Sequence, residues 1–185
     1  MRPPDRGKYA RPERERRFVL DAVPAGATGE RRIADRYIEG TRLRLRMVGE
    51  GADASPKLGQ KVRAVESDPG FVLHTTMYLS TAEYDTLAAL PADPLTKRRS
   101  WLGLAAGPRM AIDVFEGELR GLILAEVELW DEAAATAFEP PAWVAAEVTR
   151  DERFTGGRLA RTDRAGLHAA LADVLGAEAA DRLLG

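Results

Sequence analysis

Glu13-Arg14-Glu15-Arg16-Arg17-Phe18-Val19-Leu20 passes from alternating charge to unbroken apolar residues in a single extended-looking stretch. In a strand, side chains alternate between two faces, so Glu13, Glu15 and Arg17 share one face at a spacing of about 7 Å. Two carboxylates followed by a guanidinium suit a divalent cation with an anion bound beside it. The same pattern also suits a solvated edge strand whose charge discourages pairing with another chain. The remaining strands weigh between the two.

Residues 31–38 read as a second strand, ended by Glu39-Gly40. Arg42-Leu43-Arg44-Leu45-Arg46-Met47 follows with strict alternation, three arginines on one face and Leu43, Leu45 and Met47 on the other. Like charges at strand spacing repel unless something anionic lies against them. Arg46 is taken to mark the strand end. Residues 57–65 and 71–79 form a pair turned through Asp68-Pro69-Gly70, with Lys57, Lys61 and Arg63 at alternate positions and Lys57 assigned to the surface. Ser80-Thr81-Ala82-Glu83 is a capping box that opens a helix through Leu90, with Tyr84, Leu87 and Leu90 inward and Pro91 and Pro94 as stops.

Residues 95–102 form another basic strand, with Lys97 and Arg99 on one face. Ala106-Gly107-Pro108 turns the chain into a hairpin over 111–129, whose return strand sets Ala125, Val127 and Leu129 against Glu126 and Glu128. A short helix over 131–138 and an extended piece over 143–149 come next, and 154–157 is irregular. Residues 163–184 are helical, capped by Asp163 and broken at Gly176, with Leu167, Leu171, Val174 and Leu175 on one face.

Composition excludes several classes. With 27 basic and 29 acidic residues the net charge is −2, so no basic excess points to nucleic acid. The absence of cysteine removes disulfides, thiolate metal sites and a cysteine nucleophile. The two histidines, His74 and His168, are too far apart in sequence for a His-rich zinc site, and each reads as an ordinary strand or helix residue. Trp101, Trp130 and Trp143 read as packing anchors, Arg158, Arg161 and Arg164 as a solvated helix face, and Ser55 and Ser100 lack nucleophile partners. Without an apolar leader or a run of ~18 apolar residues, a cytoplasmic protein free of the membrane is expected. At 185 residues, one domain over 12–185 follows a polar lead-in over 1–11.

Roughly eight strands, few helices and no βα alternation predict an α+β, mainly β protein, a closed eight-stranded antiparallel barrel with flanking helices. If the charged faces point inward, the barrel is a polar tunnel with acidic and basic walls. Such a cavity suits a polyanion with a divalent cation: arginine forks take phosphate oxygens at two points, and carboxylates hold Mg²⁺ or Mn²⁺.

Glu13-x-Glu15-x-Arg17-Phe18-Val19 resembles the Glu-x-Glu-x-Lys signature of the CYTH domains, the triphosphate tunnel metalloenzymes. Arg42-x-Arg44, Lys61 and Lys97-x-Arg99 are similar to that family's basic strands. Asp113-x-Phe115-x-Gly117, Glu126-Val127-Glu128 and Glu147-Val148-Thr149-x-Asp151 resemble its later motifs. The resemblance implies metal ligation by Glu13, Glu15, Glu126 and Glu128, and triphosphate binding by Arg17, Arg42, Arg44, Lys61, Lys97 and Arg99. Glu126, Glu128 and Arg17 would carry catalysis, with Asp113 and Asp151 as further polar participants. The chain departs from the family at Arg17, where a lysine is usual, and at His74-Thr75-Thr76, on a strand that often carries acidic residues. The implied activity is hydrolysis of inorganic triphosphate or a small organic triphosphate. A polyphosphate- or nucleotide-binding module and an adenylyl cyclase are the alternatives, and a homodimer is the default assembly.

Overall fold

The computed structural model describes residues 9–105 and 107–185. Most of the polar lead-in (1–8), and Ala106 of the expected turn, lie outside the described residues. Among the described residues nine strands form, β1 (Arg11–Leu20), β2 (Thr28–Ile38), β3 (Leu43–Val48), β4 (Ser55–Val65), β5 (Asp68–Tyr78), β6 (Ala92–Gly103), β7 (Arg109–Phe115), β8 (Ile123–Leu129) and β9 (Val144–Glu147). They lie in the order β5-β4-β3-β2-β6-β7-β8-β1-β9, and a further β5–β1 pairing closes the first eight into an antiparallel barrel. Closure removes the free edges that an open sheet of this size would expose.

β1 is the closing staple. One of its edges pairs with β8 from Arg14 to Val19. The other pairs with β5 through Arg11 to Arg14, then with β9 through Phe18 to Leu20. Between those two partners the ladder is replaced by local bonds: the Arg17 N–H donates to Thr149 Oγ1 at 3.0 Å, and the Arg17 carbonyl accepts from the Val148 N–H at 2.8 Å.

Alternation decides which residues are covered. Phe18, Leu20, Met110, Ile112, Ala125, Val127 and Leu129 point outward and are buried beneath α2 (Glu132–Ala137) and Phe138. Fully covering side chains of this size stabilises by about 1.5–3 kcal/mol each. A smaller outer cluster, Ile38, Leu45 and Leu58, is covered by Tyr84 and Leu87 of α1 (Thr81–Ala88), whose N-terminus carries the reciprocal Ser80–Glu83 capping box. Leu90, expected inward, is 42% exposed, because the helix ends before it.

Inward apolar residues gather at one end of the barrel. Val19, Leu95, Phe115 and Leu124 meet Phe154, Leu159, Leu167 and Leu171 there, so α3 (Gly156–Leu159), α4 (Arg164–Leu175) and α5 (Ala177–Leu184) pack across that end. Gly176, at φ +91°, separates α4 from α5, as its place in the sequence suggested. Two other expectations are corrected. The β4–β5 turn is Glu66-Ser67, and Asp68-Pro69-Gly70 belongs to β5, where β1 pairing has already stopped and Pro69 deprives no ladder partner. Trp130 is not a packing anchor, being 79% exposed after the end of β8.

Candidate functional site

The charged strand faces point inward. They line a cavity of about 530 Å³ with nine cationic side chains (Arg17, Arg42, Arg44, Arg46, Lys61, Arg63, Lys97, Arg99 and Arg161) against five carboxylates (Glu13, Glu15, Asp113, Glu126 and Glu128). The structure thus brings together all the residues read from the sequence as site candidates except Asp151. Asp151 caps the turn Glu152–Phe154 and pairs with Arg153 at 2.7 Å.

Strand register builds one continuous ion network. Arg99 stands opposite Asp113, and Arg17 opposite Glu126. Arg99 donates to both Asp113 oxygens at 2.6 Å and to Glu126 Oε2 at 3.0 Å. Lys97 Nζ reaches Asp113 Oδ2 at 2.5 Å, and Arg17 Nε reaches Glu126 Oε1 at 3.1 Å. Burial favours the neutral form of Glu126, but Arg17 and Arg99 override it and hold the carboxyl well below the ordinary range. For Lys97 burial wins: despite Asp113 its ammonium is pushed down, and neighbouring Arg99 pushes further.

A second cluster joins β2 and β3. Arg46 clamps Asp35 through two hydrogen bonds at 2.6 and 2.7 Å. Burial would raise the Asp35 carboxyl, yet Arg46 and Arg44 bring it down to about 2. Arg46 therefore does not merely mark the end of β3; it lines the cavity, neutralised by a buried acid. Asp35 was not singled out in the sequence, although it is the lone acid within an arginine-rich strand. Arg44 differs from Arg46. Its approach to Asp35 is 3.7 Å, beyond hydrogen-bond reach, and its Nε is buried without a partner. Arg42, just before β3, forms no ion pair among the described residues.

The third cluster is acidic. Glu15 stands opposite Glu128, and Lys61 opposite His74. Lys61 bridges Glu13, at 3.2 Å, and Glu15, while His74 Nδ1 lies 2.7 Å from Glu13 Oε1. Burial would lower the Lys61 ammonium, but Glu15, Glu126 and Glu13 raise it. Glu128 is raised by burial and then by the like charges of Glu13 and Glu15.

As these side chains stand, no three His, Asp or Glu groups converge to hold an ion among the described residues. By chemistry the oxygen donors are those a hard divalent cation takes, but such an ion would have to displace the Lys61 ammonium from Glu13 and Glu15. Glu13, Glu15 and Glu128 stand on adjoining strand positions, and Glu128 is raised first by burial and then by Glu13 and Glu15.

Three further cavity residues escaped the sequence reading. His74 was taken for an ordinary strand residue, but it faces Glu13 inside the barrel. Arg63 and Arg161 reach the cavity from β4 and from the turn after α3, where they pair with Glu152 and Asp93. Arg161 stays about half exposed, as the solvated reading expected, while pairing with Asp93 at the cavity's edge, and Arg164 binds the Arg120 and Leu184 carbonyls. Tyr37 completes the wall beside Gly156-Gly157.

No family model matches the chain. Two curated relatives, each named inorganic triphosphatase, match segments of it. That from Nitrosomonas europaea is 47% identical over 57 residues, covering 31% of this chain and 38% of the relative. That from Acetivibrio thermocellus is 44% identical over 50 residues, covering 27% of this chain and 31% of the relative. The match therefore spans well under half the length of either relative. The solved structure of the inorganic triphosphatase NE1496 is similar over 81% of this chain and 95% of that one, with a TM-score of 0.58 and 28% identity. Barrel closure, inward charge and this likeness agree with the motif order: the chain folds as a closed antiparallel barrel with a charged interior, similar to that of the inorganic triphosphatase NE1496.

Proposed function

We propose that this chain is a divalent-metal-dependent hydrolase of inorganic triphosphate or a small organic triphosphate. The observation that carries the reading is the convergence of Arg17, Arg42, Arg44, Lys61, Lys97 and Arg99 on one cavity of about 530 Å³, a size within the ordinary small-molecule range of about 300–1,000 Å³. In that cavity Arg42 and Arg44 have no hydrogen-bonded carboxylate. A compact polyanion suits these converging cations, and the likeness to two proteins named inorganic triphosphatase supports the choice of polyanion.

In this reading Arg42, Arg44, Lys61, Lys97, Arg99 and Arg17 bind the phosphates. Arg42 and Arg44 receive them most readily, since neither must first release a hydrogen-bonded carboxylate. Arg17 and Arg99, already aimed by Glu126 and Asp113, orient the chain of phosphates and neutralise charge on the departing group. Glu13, Glu15 and Glu128, with Glu126, would hold Mg²⁺ or Mn²⁺. When bound, that ion polarises a phosphoryl oxygen and lowers the pKa of a bound water. The finer features of this reading are a cytoplasmic homodimer that takes up no nucleic acid. Among the described residues no helix is long and apolar enough to cross a membrane.

The test is phosphate release from inorganic triphosphate with Mg²⁺ or Mn²⁺, against chelator and against ATP. Metal-dependent release, faster from triphosphate than from ATP, is expected. Arg17 in a lysine position, and His74-Thr75-Thr76 on a strand where such domains often carry acidic residues, favour a second reading, a triphosphate-binding module with little turnover. Tight binding without phosphate release would establish it. Cyclic AMP and pyrophosphate from ATP would instead identify a cyclase.

A further inference from the structure

We infer that Arg63 and Arg161 are the capture pair of this cavity: a triphosphate enters between α3 and β4, and its phosphates take these two guanidiniums from the acids that hold them. The inference rests on the polyanion reading above and adds to it a route and two residues. Neighbouring strands of the barrel are antiparallel, so strand starts and strand ends alternate around each rim. Arg42, just before β3, and Arg63, near the end of β4, therefore lie at the end over which α3 packs, and Arg161 follows α3 itself. Glu13, early in β1, and Glu128, late in β8, line the same cavity toward the opposite end, where with Glu15 they face the single ammonium of Lys61. A polyanion is thus attracted at the first end and opposed at the second.

Packing narrows the route further. On the β1, β7 and β8 side of the basic end, Val19, Phe115 and Leu124 are buried with Phe154 and Leu159, which leaves no passage for a charged group. Residues 152–161 cross the remainder of that end as a strap, and an arginine holds each end of it. Arg63 of β4 pairs with Glu152, and Arg161 Nε donates to Asp93 Oδ2, at the start of β6, at 2.5 Å. Both arginine side chains keep contact with solvent, at 38% and 52% exposure. Exposed pairs of this kind contribute little to stability, so exchanging the partner costs little. A phosphate chain offers each guanidinium several charged oxygens in place of one carboxylate. Neither arginine belongs to the ion network around Asp113 and Glu126, so capture leaves that network undisturbed.

The experiment is calorimetric titration of the whole chain with inorganic triphosphate in chelator, comparing wild type with Arg63→Gln, Arg161→Gln, Glu152→Gln and Asp93→Asn. Thermal melts confirm that each variant is folded. Each ion pair is broken once from either side, which separates capture from structural support of the strap. Loss of an arginine should weaken binding by about 3- to 10-fold, while loss of its acid should tighten binding by about twofold. Both effects should shrink as NaCl is raised. Weakening by both members of a pair would overturn the inference, because the pair would then matter only as a tie. So would a change below about 1.5-fold in both arginine variants, the size expected of ordinary surface pairs; in either case the cavity keeps its ligand and the polyanion reading stands. Wild type that takes up no triphosphate at any salt concentration would overturn both.

Discussion

Asp35 on β2 and Arg46 on β3 face each other across the ladder and close a two-point ion pair, with no part of the Asp35 side chain reaching solvent. Removing one partner of such a pair strands the other charge in a poorly solvated place. Asp35→Asn should therefore destabilise the fold by about 3 kcal/mol in denaturant titration. The pH dependence has a definite sign. The folded carboxyl lies at about 2 against an ordinary 3.8, so its stabilisation is fully present above about pH 4 and disappears as pH falls through about 2. Wild type should lose about 2 kcal/mol over that interval through this group, and Asp35→Asn should not. Identical acid unfolding of the two would remove Asp35 from the account.

Arg44 and Arg46 are alternate residues of one strand with opposite situations. Arg46 is spent on Asp35, while Arg44 has no carboxylate within hydrogen-bond distance. Arg44→Gln should weaken triphosphate binding by about 10- to 100-fold with little loss of stability. Arg46→Gln should do the reverse, lowering stability first. Calorimetric titration and thermal melts of the pair decide the matter, and equal effects in both assays would contradict the division.

Glu126 separates two guanidiniums, at 3.1 Å from Arg17 and 3.0 Å from Arg99. Glu126→Gln leaves both without their shared countercharge. Triphosphate should bind more tightly while metal-dependent phosphate release falls by about a hundredfold or more. Unchanged turnover would exclude a catalytic part for this carboxylate.

Gly156 lies against the Tyr37 ring, and a Cβ at this position would fall 2.0 Å from the Tyr37 hydroxyl. Gly156→Ala must displace either the cavity wall or α3, at a cost of about 1–3 kcal/mol. A melt as high as that of the wild type would show that Tyr37 yields freely.

Much of this architecture was legible in the chain because period-two alternation is a local property. Glu13-x-Glu15-x-Arg17, Arg42-x-Arg44, Lys97-x-Arg99 and Glu126-x-Glu128 each declare a charged face, and those faces do meet in one cavity. What alternation does not contain is register, the slide of one strand against the next. Register sets Asp35 against Arg46, Arg99 against Asp113 and Lys61 against His74. In these three pairs the register is fixed by the turn that joins two neighbouring strands, and where each turn falls is not written in the alternation, so Asp35, Arg46 and His74 were undervalued. Asp151 failed for the opposite reason: its motif is local, but a capping bond to the Arg153 N–H satisfies it before it can reach the barrel. Asp68-Pro69-Gly70 has the composition of a turn, yet the shorter Glu66-Ser67 connection turns the chain first.

Barrel closure through β1 has a consequence for how the chain assembles. Arg17 and its partner Glu126 are 109 positions apart in sequence, so during synthesis the first strand emerges long before the one that completes it. Contacts of such separation form late, and an unclosed sheet waits meanwhile with open edges. Here most of the concave side of that waiting sheet carries charge of both signs, with its apolar side chains gathered at one end. The lining that would receive a polyanion in the finished barrel thus also keeps the nascent sheet from adhering to its neighbours.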